Sequence, residues 1–208
     1  KCILKKEKQK SKLQLQKERN ILISVKQKKP ETGIEIDLDM LEKRAKIVFL
    51  SIGSNLGNKR KNIEFAKFKL EKNNIKIIKS SKNYETLSWP NKKKPKFINI
   101  VLKTKTFLSP NALMKKCLFI EKELGRLRNK KNEPRTCDID IIDYDKKIVK
   151  STINQNLTIP HPKMHKRNFV LLPLFEIAKT WIHPIKKVSV RSLINALDVE
   201  DLKTIKLI

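Results

Sequence analysis

The sequence predicts an α+β fold, and three observations predict it. Four short runs rich in Ile, Val, Leu and Phe read as strands, each bounded by Gly, Pro or polar residues. Two longer segments lie among them with apolar residues at helical spacing. The chain has 208 residues, 39% of them hydrophobic, which is enough for one core of ordinary size.

The first strand is Ile47-Val48-Phe49-Leu50-Ser51-Ile52, stopped by Gly53-Ser54-Asn55-Leu56-Gly57. Lys59 to Lys72 follows as a helix, with Ile63, Ala66 and Leu70 on one face and Asn58 as its cap. Ile75 to Ile78 is a second strand. Tyr84 to Pro95 reads as a polar, Pro-containing loop, and Phe97 to Leu102 as a third strand. Ser109-Pro110 opens the second helix, which carries Leu113, Cys117, Ile120 and Leu124 on one face and ends at Gly125. Cys137 to Tyr144 alternates into a fourth strand. The order is βαββαβ, that of a ferredoxin-like core in αβα layers. Phe169 to Ala178 and Val188 to Leu197 add C-terminal elements, so the folded domain is expected over 46–208.

Residues 1–45 differ. Lys1 to Pro30 holds eleven Lys or Arg and two acids, and Glu31 to Asp39 then turns acidic. Ile21 to Val25 could form a strand, but nothing beside it supplies a core. The segment reads as a basic extension, disordered or the remnant of something upstream, with Met40 just before the first clear element.

The formal net charge is +28, from 49 Lys and Arg against 21 Asp and Glu. Such a balance draws polyanions, yet a chain rich in Lys, Ile and Asn together also matches an AT-rich coding bias, so charge alone names no partner. No apolar run is long enough to span a bilayer, and no apolar stretch follows the basic start as a secretory signal requires. Cys2, Cys117 and Cys137 are odd in number and far apart, which fits a reducing cytoplasm better than a disulfide framework or a zinc knuckle.

Three constellations carry chemistry. In Pro134-Arg135-Thr136-Cys137-Asp138-Ile139-Asp140-Ile141-Ile142, residues two apart share a strand face. Asp138 and Asp140 then stand side by side, either as a Mg²⁺-binding pair or as a plain exposed polar face. Arg126, Arg128 and Arg135 flank that strand with the bidentate forks that suit phosphate; an RNA-facing loop would explain the arginines but not the aspartates. Ile159 to Phe169 holds His161 and His165 four apart. Pro160 and Pro162 argue against a helix there, so a loop histidine bonding phosphate is a better reading than a zinc site. His183 has no partner legible in the sequence and reads as structural. Gly53 and Gly57 bracket the first strand's exit without the Gly-Lys-Ser/Thr of a phosphate loop, and fit a tight turn and a close backbone approach.

Phe49 to Gly57, Pro95 to Asn99, Glu121 to Arg128, Pro134 to Ile142 and Ile159 to Phe169 together resemble, in the same order, the 6-hydroxymethyl-7,8-dihydropterin pyrophosphokinase family. The resemblance implies a transferase that moves the β,γ-pyrophosphate of ATP to the pterin hydroxymethyl group, with two Mg²⁺ ions, in folate biosynthesis. It makes Asp138 and Asp140 the metal ligands and Arg126 and Arg135 the catalytic cations. Glu121, Arg128, His161 and Arg167 would serve ATP. Phe97 and Phe169 would sandwich the pterin, Asn99 would read its edge, and Thr86 and Leu87 would offer backbone contacts. The partners implied are small molecules, with neither a specific nucleic acid nor a membrane. The implied state is a monomer, fused to or associated with other folate-pathway enzymes; the stretch before Lys29-Pro30 is similar to the end of a dihydroneopterin aldolase, a domain fused upstream in some members. Asn132-Glu133 departs from the Trp-Gly or Trp-Ala usual before Pro-Arg-Thr, and Leu87 and Pro162 replace a Pro and a Tyr. The alternative from another class is a small basic RNA-binding module on the same ferredoxin-like fold, which needs exposed aromatics on central strands.

Overall fold

The computed structural model describes residues 44–88, 91–126, 133–152 and 157–208. The expected N-terminal extension up to residue 43, Arg128 and Asn132 lie outside the described residues.

The elements run β1 (Lys46–Ser54), α1 (Lys59–Lys72), β2 (Lys76–Ser80), β3 (Tyr84–Thr86), β4 (Phe97–Thr106), α2 (Pro110–Glu123), β5 (Asp138–Tyr144), a 3-10 turn (Met164–Lys166), α3 (Asn168–Ile177), α4 (Val190–Asn195), α5 (Val199–Lys203) and β6 (Ile205–Leu207). The sheet is antiparallel in the order β5-β1-β4-β3-β6, with β2 also paired to β4 beyond β3. β5, β1, β4 and β2 therefore give the 4-1-3-2 arrangement of the ferredoxin-like core.

The helices start and stop where the caps dictate. The Asn58 side chain accepts from Lys61 N and the Ser109 hydroxyl from Ala112 N, satisfying amides that a helix start leaves bare. Pro110 sits in the first turn of α2, and Gly125, at φ +78°, ends it.

Both sheet faces are covered, because β1 is apolar on both sides. Val48, Leu50 and Ile52 point into a core closed by Ile63, Ala66 and Leu70 of α1 and by Leu113, Cys117 and Ile120 of α2. Phe49 points the other way, with Val101 and Ile142, into a core closed by Val170, Leu171 and Leu174 of α3 and by Val190 and Leu193 of α4. Each large apolar side chain so buried contributes about 1.5–3 kcal/mol. Cys117 and Cys137 are buried free thiols, and burial pushes both well above the usual thiol range. Among the described residues, helices pack against both sheet faces, which does not favour the RNA-module alternative.

One expectation is corrected, and the structural reading of His183 gains its partners. The loop read from Tyr84 begins as β3, whose three residues pair with Phe97 to Asn99 on one side and with β6 on the other. A strand this short carries no alternation to read, and its stability comes from partners distant in sequence. His183 does have partners: its Nδ1 accepts from Ile185 N and Lys186 N, both at 3.2 Å, and its ring meets Trp181 edge-on.

Candidate active site

The site lies at one end of the sheet on the α3 face. Asp138, Gly53, Asn99 and Tyr84 form a transverse row across β5, β1, β4 and β3, each opposite the next in register. Gly53 is the pivot. A Cβ there would meet Asn99 Oδ1 at 2.9 Å and Phe97 Cδ1 at 3.5 Å, so this is the close approach the glycine permits. Gly57, at φ +65°, turns the chain into α1. Neighbouring strands are about 5 Å apart, so the Asp138 and Asn99 backbones stand about 10 Å apart with no side chain between them.

Asp138 and Asp140 project from β5 opposite the buried Ile139 and Ile141. Arg126 Nη1 donates to Asp138 Oδ1 and, at 2.6 Å, to Glu121 Oε1. Arg135 Nη2 lies 2.7 Å from Asp138 Oδ2. Arg167 Nη1 donates to Asp140 Oδ2 at 3.0 Å, with His161 Nε2 at 3.4 Å from the same nitrogen. Glu121 is 2% exposed and also accepts from Ile139 N at 2.7 Å, so it stands behind Arg126 as its anchor. Among the described residues three carboxylates thus face three guanidiniums. Burial works to raise the Asp138 pKa, but Arg135 and Arg126 outweigh it and hold the carboxyl below the usual aspartate range. Desolvation, opposed by Asp140 and reinforced by Arg167, takes His161 below the usual histidine range, so its ring is neutral at pH 7.

At the other end of the row, Asn99 is buried and its Nδ2 donates to Thr86 Oγ1 at 2.9 Å, leaving Oδ1 facing Gly53. Leu87 follows β3 directly and is partly buried. The Arg135 guanidinium lies over the Phe97 ring at 5.1 Å and that of Arg167 over Phe169 at 5.5 Å. Each of these two arginines therefore joins an aspartate to an aromatic ring. Sequence reasoning missed Tyr84, whose hydroxyl donates to Glu176 Oε2 at 2.9 Å and ties β3 to α3; a three-residue strand carries no alternation that could have shown it. It also read Asn55 only as part of a turn.

Among the described residues no three His, Cys, Asp or Glu side chains gather as metal ligands. A pair of hard oxygen donors fits Mg²⁺, which takes one or two carboxylates and completes its shell with water and substrate phosphate. Among the described residues, the buried Arg135 Nε and Thr136 Oγ1 find no hydrogen-bond partner.

The sequence profile of the 7,8-dihydro-6-hydroxymethylpterin-pyrophosphokinase (HPPK) family matches residues 49–179, which include every described site residue. The chain belongs to this family. A 2-amino-4-hydroxy-6-hydroxymethyldihydropteridine pyrophosphokinase of Aquifex aeolicus is 41% identical over 138 residues, 66% of this chain and 84% of that protein. Folic acid synthesis protein fol1 of Pneumocystis carinii is 39% identical over 158 residues; the match takes in 76% of this chain but only 21% of that longer protein. Among solved structures, an HPPK-DHPS in complex with substrates superposes with a TM-score of 0.61 at 18% identity, over 79% of this chain and 46% of that one. That likeness supports the family's ferredoxin-like α+β fold. No helix among the described residues is long and apolar enough to cross a membrane.

Proposed function

We propose that this domain transfers the β,γ-pyrophosphate of ATP to the hydroxyl of 6-hydroxymethyl-7,8-dihydropterin and releases AMP, a step of folate synthesis. The observation that carries this reading is the Asp138-Gly53-Asn99 row, which sets a paired-carboxylate end on β5 and an aromatic, amide-lined end on β4 to either side of the side-chain-free Gly53 of β1. Asp138 and Asp140 would hold Mg²⁺, in the finer reading two ions; bound there, the metal supplies Lewis-acid charge neutralisation to the polyphosphate. The arginines do the rest by exchange. Arg126 and Arg135 leave a carboxylate for phosphate oxygens, and their charge then matches the charge growing on the transferred group. Arg167 and the neutral His161 hold further phosphate oxygens, with Glu121 fixing Arg126 and Arg128 assisting.

Phe97 and Phe169 are assigned to the two faces of the pterin, so the guanidiniums now lying over them give way to the flat heterocycle. Asn99 Oδ1 accepts from the ring's amino edge, and the Thr86 and Leu87 backbone closes that side. Among the described residues no strong protein base stands in the site, so catalysis rests on positioning and charge. Fusion to other folate enzymes is supported by the longer relatives, since this chain matches only 21% of the Pneumocystis carinii protein and 46% of the HPPK-DHPS chain.

The test is to incubate the chain with Mg-ATP and hydroxymethyldihydropterin and identify the nucleotide product. AMP in step with pterin consumption is expected. ADP instead would mean γ-phosphoryl transfer and would sink the assignment.

A further inference from the structure

Asn55 lies at the exit of β1 between Gly53 and Gly57, 3% exposed, and every polar atom of its side chain is engaged. Oδ1 accepts from Arg135 N at 2.8 Å, while the Asn55 backbone N donates to Arg135 O at 3.1 Å. The arginine-bearing segment is thus held at two points, as a strand pair holds a residue. On its other end, Nδ2 donates to Pro95 O at 3.1 Å and to Ser88 Oγ at 3.3 Å. Ser88 Oγ itself donates to Pro95 O at 2.6 Å, closing the base of the segment that joins β3 to β4. One amide therefore bridges two stretches that are 40 residues apart in sequence, Pro95 beside Phe97 and Arg135 beside Asp138. No other side chain of this length has both an acceptor and a two-proton donor: aspartate lacks the donor and serine the reach.

We propose that Asn55 is a positioning residue that couples the pterin loop to the arginine segment, so that seating the pterin and placing the Arg135 guanidinium are one event rather than two. The inference rests on the proposed transfer reaction. Asn55 touches neither substrate; it acts through Pro95 and Ser88 on one side and through the Arg135 backbone on the other. Two ligands whose sites share such a tie raise each other's affinity by the same factor. A residue that only filled space would lower stability without moving that factor.

The experiment measures, on the full chain, the affinity of the unreactive 6-hydroxymethylpterin with and without Mg²⁺ and α,β-methylene-ATP. In the parent chain the nucleotide analogue should tighten pterin binding. Asn55→Asp keeps the acceptor for Arg135 N and loses the donor to Pro95 O; it should cut that tightening at least tenfold and lower kcat, while nucleotide affinity alone stays within about threefold. Arg135→Ala, which keeps the backbone tie but removes the guanidinium that the nucleotide places, should lose both kcat and the tightening.

Retention of both tightening and kcat by a folded Asn55→Asp variant would overturn the proposal. A second readout needs no variant. Pterin alone should slow hydrogen exchange at the Arg135 amide of the parent chain, and unchanged exchange there would also overturn it. If instead the parent chain releases no AMP from its substrates, the transfer reading fails, and that outcome is distinct from failure of the tie.

Discussion

Asp138 carries two guanidiniums where Asp140 carries one, and the difference separates what their loss should do. Alanine at either position removes half of the oxygen pair proposed for Mg²⁺. The missing charge neutralisation is worth several kcal/mol in the transition state, so turnover should fall about a thousandfold or more in both variants. Stability should divide them. Asp138→Ala takes the carboxylate partner from Arg135 and leaves Arg126 with Glu121, at a cost of about 1–3 kcal/mol, whereas Asp140 is more exposed and its loss should cost less. Steady-state AMP release and thermal melts of the two variants check both parts. Near-normal turnover at low Mg²⁺ in either variant would remove the metal assignment. The pair itself was legible, since a two-residue spacing in a strand fixes a shared face. The arginines resting on it were not, because a guanidinium at the end of a long side chain has no period to betray its partner.

Secondary-structure elements place these side chains through their ends rather than their middles. Gly125 N donates to Lys122 O and Arg126 N to Glu121 O, a left-handed helix stop that sets Arg126 beside Glu121. A Cβ on Gly125 would meet nothing within 4 Å, so Gly125→Ala tests conformation alone. The left-handed φ should cost about 1–2 kcal/mol, a drop of about 2–8 °C in Tm. An unchanged Tm, followed by circular dichroism, would show that the helix end does not need its glycine. Helices with caps and a full apolar stripe were readable within a residue or so. The short α5 was also signalled, by Asp198 accepting from Glu200 N ahead of Glu200 and Asp201 in the first turn, and was overlooked. β3 and β6 had no such signal: the three residues of β3 are held by Phe97–Asn99 of β4 on one side and by Ile205–Leu207, from the far end of the chain, on the other.

For the whole molecule, pH dependence follows from all three histidines. Desolvation is the largest cause at each, and His161, His165 and His183 are all held below the usual histidine range. The unfolded chain therefore takes up protons before the folded one, so their contribution is complete above the unfolded histidine pKa and is lost as pH falls through the folded values. Asp143 acts in the opposite sense. Burial raises its pKa although Trp181 Nε1 donates to it at 2.7 Å, so its contribution is greatest at low pH and is lost as pH rises through that raised value. Three groups against one predict a falling Tm from about pH 7 to about pH 5. The fall should be smaller in His183→Asn, which keeps an acceptor for the Ile185 and Lys186 amides. A Tm that is flat or rises on acidification would count against the histidine account.

The N-terminal segment is tested at the same scale. We propose that 46–208 is the active domain; deletion of 1–39 should then leave turnover and pterin affinity within about twofold, because every assigned site residue lies beyond it. Lost activity with an intact fold would return that segment to the domain.

The sequence by itself determined the βαββαβ order, the caps, the two-faced apolar β1 and the paired aspartates with arginines close by. All of these depend on spacings within one element or one turn, where the backbone period converts position directly into direction. Only the tertiary structure decided that the side-chain-free Gly53 stands between Asp138 and Asn99. It alone set Arg135 and Arg167 each between an aspartate and a ring, and made one buried amide at Asn55 serve two distant loops. Those arrangements come from strand register and side-chain hydrogen bonds between residues tens of positions apart, and no local period encodes such a distance.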